Sequence, residues 1–359
     1  MTLTRRTLFA LLPAALSAQT RNRKQPFPRV GEFVPFSDPT TEARVVRLTN
    51  PASTSWLPAP TNRFVSVKER FLVFSSDRAG RPAPFQLDLH AGLPRQLGET
   101  AALAPRSLCL DEKQRSLYLL DGGVLKEIML ANRKMRSIAE AVDAFAAMPG
   151  GQFVIVRRKR LQLLNSALLN GGRSLAEDVD EFCLLRPPGD GCLFIRESSP
   201  ESREFWFTFL SGQSKPVLLA KGQVSFPFWS PGGKSLLFLR DVPGPHGIFS
   251  EIHEVAVDTD VERCVAPTSQ FAAFAPNGDA SVFVGASRSK AQPTVILLLR
   301  SVKRELTLCE HRATHPAAVS PVFAPDSRRV YFESDHQGKP ALYSVNVELL
   351  VEPTTGSAA

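Results

Sequence analysis

The chain repeats one pattern of apolar strands along nearly its whole length. Each copy has an alternating apolar strand, a turn built from Pro, Gly, Asp or Asn, a second and more apolar strand, a polar loop, and then a third and a fourth strand. Successive second strands begin roughly 36 to 49 residues apart. They read Phe71-Leu72-Val73-Phe74, Ser116-Leu117-Tyr118-Leu119, Phe153-Val154-Ile155-Val156, Cys192-Leu193-Phe194-Ile195, Ser235-Leu236-Leu237-Phe238, Ser281-Val282-Phe283-Val284 and Val330-Tyr331-Phe332.

Four strands per copy at a period of about 45 residues indicate the blades of a β-propeller. We therefore predict an all-β fold, a seven-bladed β-propeller with four-stranded blades. The predicted blades are 61–98, 103–139, 141–178, 179–222, 223–269, 270–313 and 315–352. A further apolar strand at 43–49 precedes them, and we expect this N-terminal strand to join the last blade. Such a pairing closes the ring and leaves no open sheet edge.

The first residues have the composition of an export signal. Arg5 and Arg6 precede a short apolar stretch that ends in small residues near Ala18, and the adjacent arginines resemble the twin-arginine class. We expect an export signal peptide over 1–18, an N-terminal extension over 19–42, a single propeller domain over 43–352 and a C-terminal tail over 353–359. The mature protein is then expected to be periplasmic or secreted. It is expected to lack an integral membrane segment, because no apolar stretch approaches the roughly 20 residues that cross a bilayer.

The formal net charge is +8, which fits an acidic ligand. The strongest basic cluster is Arg157-Arg158-Lys159-Arg160. Because it follows a blade strand directly, we interpret it as a solvated turn and expect no nucleic-acid partner.

Five cysteines cannot all pair, and no C-x-x-C sequence is present. Cys183 and Cys192 flank a turn, so one hairpin would bring them side by side. Between a disulfide and buried free thiols we favour free thiols, since cysteine packs as a small hydrophobic residue.

Several blade segments resemble those of a known family. Phe74-Ser75-Ser76-Asp77-Arg78-Ala79-Gly80, Phe332-Glu333-Ser334-Asp335 and Gly338-Lys339-Pro340-Ala341-Leu342-Tyr343 resemble the blades of TolB-type propellers. Within that group the chain is most similar to the oligogalacturonate lyase-like propellers. The resemblance covers all the blades, but its motifs are mainly structural and specify a fold better than a chemistry.

Four of the six histidines are predicted to open on one face of the ring. Loops between the second and third strands, and links between blades, share a face in a propeller. His246 and His336 belong to such loops in blades five and seven, and His311 and His315 belong to the link between blades six and seven. Imidazole is the commonest ligand of divalent metals and a base poised near neutral pH.

The family resemblance implies a β-elimination across a uronic acid. A base removes the proton beside the carboxylate, while a metal or an arginine stabilises the negative charge that develops. It implies a histidine as the base, for which His246 is the candidate, and a nearby arginine as the catalytic cation, which Arg240 or Arg78 could supply. Arg78 and His336 are the implied substrate-binding residues, and His311 and His315 the implied ligands of a divalent metal of the Mn²⁺ class.

The chain also departs from the family pattern at its metal-binding stretch. The family has Gln, two residues, His, one residue and His shortly before a final-blade Phe-x-Pro-Asp turn. This chain has Ala318-Val319-Ser320-Pro321 before the turn Phe323-Ala324-Pro325-Asp326. Either the ligands are rearranged or the metal is lost.

Two functions therefore stay open after the sequence is read. One is an exported lyase that cleaves uronic-acid oligosaccharides by metal-assisted β-elimination. The other is a non-catalytic TolB-like propeller that binds an envelope protein or a glycan. The expected partner is thus an acidic oligosaccharide or an envelope protein. A serine hydrolase and a nucleotide-binding protein are not indicated, since the chain has no G-x-S-x-G elbow, no Walker loop and no dinucleotide fingerprint.

Overall fold

The strands of this protein form seven sheets arranged as the blades of a propeller. The computed structural model describes residues 31–165, 172–180, 182–187, 189–199, 201–244, 247–268 and 270–354. Across these ranges the helical segments are three 3₁₀ turns, at Pro149–Gly151, Pro231–Gly233 and Pro316–Val319. The prediction of an all-β, seven-bladed propeller with four-stranded blades is confirmed. The predicted signal peptide lies outside the described residues.

Blades one to six are each built from four consecutive antiparallel strands, whereas blade seven combines strands from both ends of the chain. Two strands precede the first blade, β1 (Val34–Ser37) and β2 (Arg44–Arg47). Blade one comprises β3 (Ser55–Trp56), β4 (Phe71–Ser76), β5 (Ala83–Asp88) and β6 (Pro94–Gln96). Blade two comprises β7 (Cys109–Leu110), β8 (Ser116–Asp121), β9 (Val124–Met129) and β10 (Met135–Ala139). Blade three comprises β11 (Ala144–Ala147), β12 (Gln152–Arg157), β13 (Arg160–Asn165) and β14 (Arg173–Glu177).

The remaining blades follow the same order. Blade four comprises β15 (Cys183–Leu185), β16 (Gly191–Ser199), β17 (Ser202–Phe209) and β18 (Val217–Gly222). Blade five comprises β19 (Val224–Trp229), β20 (Ser235–Gly244), β21 (Gly247–Ala256) and β22 (Glu262–Pro267). Blade six comprises β23 (Phe271–Pro276), β24 (Val282–Ser287), β25 (Thr294–Leu299) and β26 (Arg304–Glu310). Blade seven takes β27 (Val322–Phe323), β28 (Arg329–Ser334) and β29 (Ala341–Asn346) from the end of the chain.

The N-terminal strand closes the ring, as predicted. Strand β2 pairs antiparallel with β29, with Val45 opposite Val345 and Arg47 opposite Tyr343. The sequence did not predict β1, which pairs with β2 and makes the last sheet five-stranded. Closure places both ends of the described chain in one blade, so blade seven carries side chains distant in sequence.

Apolar side chains of the second strands fill the space within and between blades. Leu72, Val73 and Phe74 of β4 are fully buried, and the same holds for corresponding residues in the other blades. Aromatic pairs join neighbouring blades, including Phe205 with Phe238 at 5.8 Å between ring centroids. Such edge-to-face contacts add to the free energy gained by burying apolar surface.

The turn before β20 shows why the repeat uses glycine. Gly233 has a φ of 70°, and a Cβ there would lie 1.9 Å from the carbonyl oxygen of Pro187. Only glycine fits this approach between blades four and five.

Cys183 and Cys192 are buried free thiols, which confirms that prediction. No helix in the part of the chain that the structure describes has the length and apolar character of a membrane span.

Candidate functional site

The link between blades six and seven places His311 inside the protein. Its side chain is fully buried. The backbone N–H of Ala313 donates to Nδ1 at 3.0 Å, and Nε2 lies 3.0 Å from the carbonyl oxygen of Ser287. Since Nδ1 accepts, the neutral ring carries its proton on Nε2 and donates it to Ser287. Burial lowers the pKa of His311, which keeps the imidazole neutral.

His336 lies beside this link, in the loop after β28. Its ring is half-buried and packs against Tyr343, with 5.2 Å between ring centroids. The hydroxyl of Ser334 donates to the carbonyl oxygen of His311 and lies 3.0 Å from Nδ1 of His336. Because that hydroxyl has a single proton, Nδ1 of His336 must donate to it, and the neutral ring keeps its lone pair on Nε2. Burial, with the nearby charge of Arg312, lowers the pKa of His336.

Asp335 holds the two loops together. It accepts a hydrogen bond from the backbone N–H of Thr314 at 2.8 Å and interacts electrostatically with His311, His315 and His336. Burial alone would raise the pKa of Asp335, but the hydrogen bonds from Thr314 outweigh it and lower the pKa. His315 itself is exposed. The structure thus brings His311, His315 and His336 to one edge of blade seven.

Arg47 completes this edge from the ring-closing strand β2. One guanidinium nitrogen donates to the side-chain oxygen of Gln337 at 2.6 Å, and the charge of Arg47 contributes to lowering the pKa of His336. Among the described residues, Arg47 has no carboxylate within ion-pair distance. We call Arg47, His315, Asp335, His336 and Gln337 the blade-seven rim.

Arg78 and Arg240, by contrast, each form an ion pair with a glutamate of this chain. Arg78 makes two hydrogen bonds to the carboxylate of Glu32, at 2.6 and 3.2 Å. Arg240 makes two to Glu262, at 2.7 and 2.8 Å, and a third to the carbonyl oxygen of Lys221. Neither partner glutamate is close in sequence to its arginine, so no local pattern predicted these pairings. The predicted base His246 lies outside the described residues.

Sequence reasoning also missed a buried ion pair near the rim. Glu333 is 4% exposed and accepts hydrogen bonds from Arg106 at 2.8 and 3.2 Å and from the backbone N–H of Leu57 at 2.9 Å. Burial raises the pKa of Glu333 to about 7, although Arg106 favours the charged form. The sequence feature that could have indicated this buried pair is the position of Glu333, a charged residue directly after the apolar run Val330-Tyr331-Phe332. This pair ties blade seven to blade one and to the link before blade two.

A divalent metal does not fit the predicted ligands. Both ring nitrogens of His311 are used by backbone groups, so binding a metal would break two buried hydrogen bonds. Among the described residues, three ligand atoms converge instead at Glu251, His253 and Cys264, within 4.8 Å of one another. That group lies on blade five, away from the predicted pair.

The chain has the fold of two solved oligogalacturonate lyases. It is 18% identical to an oligogalacturonate lyase in complex with manganese, with a TM-score of 0.75 over 88% of this chain and 96% of the other. It is 17% identical to an oligogalacturonate lyase from Vibrio parahaemolyticus, with a TM-score of 0.73 over the same shares.

A more distant likeness is to a puromycin-hydrolyzing peptidase from Mycobacterium tuberculosis. That match is 16% identical, with a TM-score of 0.62 over 83% of this chain and 54% of the other. No family model matches the sequence, and no curated protein does. At such identities the matches establish a shared propeller fold and leave the chemistry to be argued from the residues.

Proposed function

We propose that this protein is exported and binds acidic oligosaccharides at the blade-seven rim, without a metal at His311 and His315. The observation that carries the proposal is the guanidinium of Arg47, which has an amide partner and, within the described part of the chain, no carboxylate partner. Arg78, Arg240, Arg288 and Arg312 all pair with a carboxylate. A ligand carboxylate would therefore gain more at Arg47 than at these four arginines, because at Arg47 it displaces only the neutral Gln337.

The neighbouring groups suit a sugar that carries a carboxylate. Nε2 of His336 presents a lone pair that accepts from a sugar hydroxyl, and Gln337 is exposed and offers both a donor and an acceptor. Arg312 adds positive charge close to His336. Asp335 is held by Thr314 and the histidines, so it stays within the protein network rather than opposing the ligand.

A second candidate is β-elimination, favoured by the fold match that spans 96% of a manganese-bound oligogalacturonate lyase. His336 is the residue here that suits a base, because its lowered pKa keeps it neutral and its lone pair is on Nε2. Arg47 would then hold the carboxylate beside the carbon that loses its proton.

The binding proposal is tested by calorimetric titration of trigalacturonate into chelator-treated protein. Loss of one charge-assisted hydrogen-bonding group costs about 1.5 to 3 kcal/mol, so Arg47→Gln is expected to weaken binding by about tenfold or more. Arg44→Gln is the matched control, because it removes the same charge from the same strand at an exposed position. Absence of binding by the wild type, or equal losses in both variants, would refute the proposal.

The two candidates are separated by the ultraviolet absorbance of the unsaturated uronide that elimination forms. The binding proposal predicts no such product from pectic oligosaccharides, with or without added manganese. Product formation that His336→Ala abolishes would establish the second candidate in its place.

A further inference from the structure

Blade five carries a group of metal-ligand side chains that the proposed function does not use. Glu251 and His253 are two positions apart on β21, so their side chains lie on the same face of the sheet. Cys264 lies opposite His253 on β22. Their ligand atoms lie within 4.8 Å of one another. Cys264 is exposed and the His253 side chain is 13% exposed, so an ion from solvent has access.

The two ring nitrogens of His253 have different partners. Nε2 lies 2.9 Å from a carboxylate oxygen of Glu251, and the side chain of Glu251 also interacts with the thiol of Cys264. Nδ1 lies 2.6 Å from a carboxylate oxygen of Glu262, and Arg240 holds that carboxylate with two hydrogen bonds. A histidine that binds a metal usually donates its other N–H to a carboxylate, which fixes the ring and strengthens the ligand. Here that outer carboxylate is already in place.

We propose that Glu251, His253 and Cys264 bind a zinc ion, with Glu262 orienting His253. Zinc takes nitrogen, sulfur and carboxylate ligands at about 2.0 to 2.3 Å, so its ligands stand about 3.3 to 3.6 Å apart. The 4.8 Å limit on the present separations is closed by small side-chain rotations. The ion replaces the hydrogen bond between Nε2 and Glu251. The proton of that hydrogen bond and the proton of the Cys264 thiol are both released to solvent.

The ligand set selects the metal. A thiolate with an imidazole suits zinc, whereas manganese prefers oxygen ligands. The carboxylates of Glu251 and Glu262 and the thiolate of Cys264 outweigh the positive charges of Arg240 and Lys303, so the local charge favours a divalent cation. Three protein ligands leave the fourth position of a tetrahedral ion to water.

The site is tested with cobalt(II) as a spectroscopic substitute for zinc, added to the reduced, metal-free full-length protein. We expect one equivalent to bind with a thiolate-to-cobalt charge-transfer band that Cys264→Ser abolishes. Glu262→Gln is expected to weaken binding by about 10- to 100-fold, the usual effect of losing an outer partner. His90→Ala, which removes an exposed histidine from the turn between β5 and β6, is the control and should bind like the wild type.

A second measurement keeps the proposal falsifiable if a variant folds poorly. Zinc is expected to protect Cys264 of the wild type from alkylation, because Cys264 is the one exposed cysteine of the five. A charge-transfer band that persists in Cys264→Ser, or alkylation at the same rate with and without zinc, would overturn the site. Neither result depends on oligosaccharide binding, so failure here is separate from failure of the proposed function.

Discussion

Glu69 and Asp326 form a carboxyl pair between blades one and seven. Glu69 lies in the turn before β4, and Asp326 in the turn after β27. Burial, then the hydrogen bond and charge of Asp326, raise the pKa of Glu69 from 4.5 to about 7. Arg329 offsets this only in part, since its Nε stands 3.7 Å from the carboxylate. Near neutral pH the pair therefore holds a proton that the unfolded chain would release.

The sign of the pH dependence follows from that proton. Between pH 4.5 and about 7 the folded protein binds more protons than the unfolded chain, so this group makes the free energy of unfolding fall as the pH rises. The shift corresponds to at most about 3 kcal/mol above pH 7. Glu69→Gln replaces the acid with a neutral amide that donates to Asp326 at every pH. We expect the variant to be more stable than the wild type at pH 8, by up to about 3 kcal/mol, and nearly equal to it at pH 4.5.

Urea denaturation at the two pH values measures this difference. Glu42→Gln is the matched control, because Glu42 is exposed and also has a left-handed backbone, with a φ of 60° against 46° for Glu69. The reasoning is refuted if Glu69→Gln has the same effect at both pH values, or if it destabilises the protein at pH 8.

Three further measurements test the fold, the metal argument and the state of the cysteines. Val45→Ala removes a buried side chain at the ring-closing pair with Val345, and urea denaturation should show a free energy of unfolding lower by about 2 kcal/mol. Val46→Ala, at a half-buried position, is the control and should lower the free energy of unfolding by less. Equal losses in the two variants would argue against tight closure of the ring. His311→Ala should cost about 2 to 4 kcal/mol, because two buried backbone groups lose their partner, and elemental analysis should find the manganese content unchanged. Thiol titration of denatured protein without a reductant should find five free cysteines, and a count of three would indicate a disulfide between Cys183 and Cys192.

The blades were predictable because a two-residue strand period and turn residues are local signals. The predicted start of the first blade was wrong, since β3 begins at Ser55, ahead of the predicted range 61–98. Strand β1 was missed because Val34-Pro35-Phe36-Ser37 is short and contains a proline, which argues against a strand. Its pairing depends on β2, which is itself placed by residues 300 positions further along the chain.

The candidate site was predictable only as far as topology decides it. Loop order places His311, His315 and His336 at one edge of blade seven, but it does not say where a side chain points. His311 turns inward to Ser287, and Arg78 turns to Glu32. Such partners come from separate blades or from the N-terminal segment, so no local pattern reveals them. Arg47 was overlooked for the same reason, because its strand reaches blade seven only when the ring closes.

A crystal structure of the metal-free protein soaked with trigalacturonate tests the central claim most directly. The account predicts a uronate carboxylate at about 2.7 to 2.9 Å from the guanidinium of Arg47, with a sugar hydroxyl on Nε2 of His336. A saccharide bound on the opposite face of the ring, or one that requires a metal on His311, would contradict it.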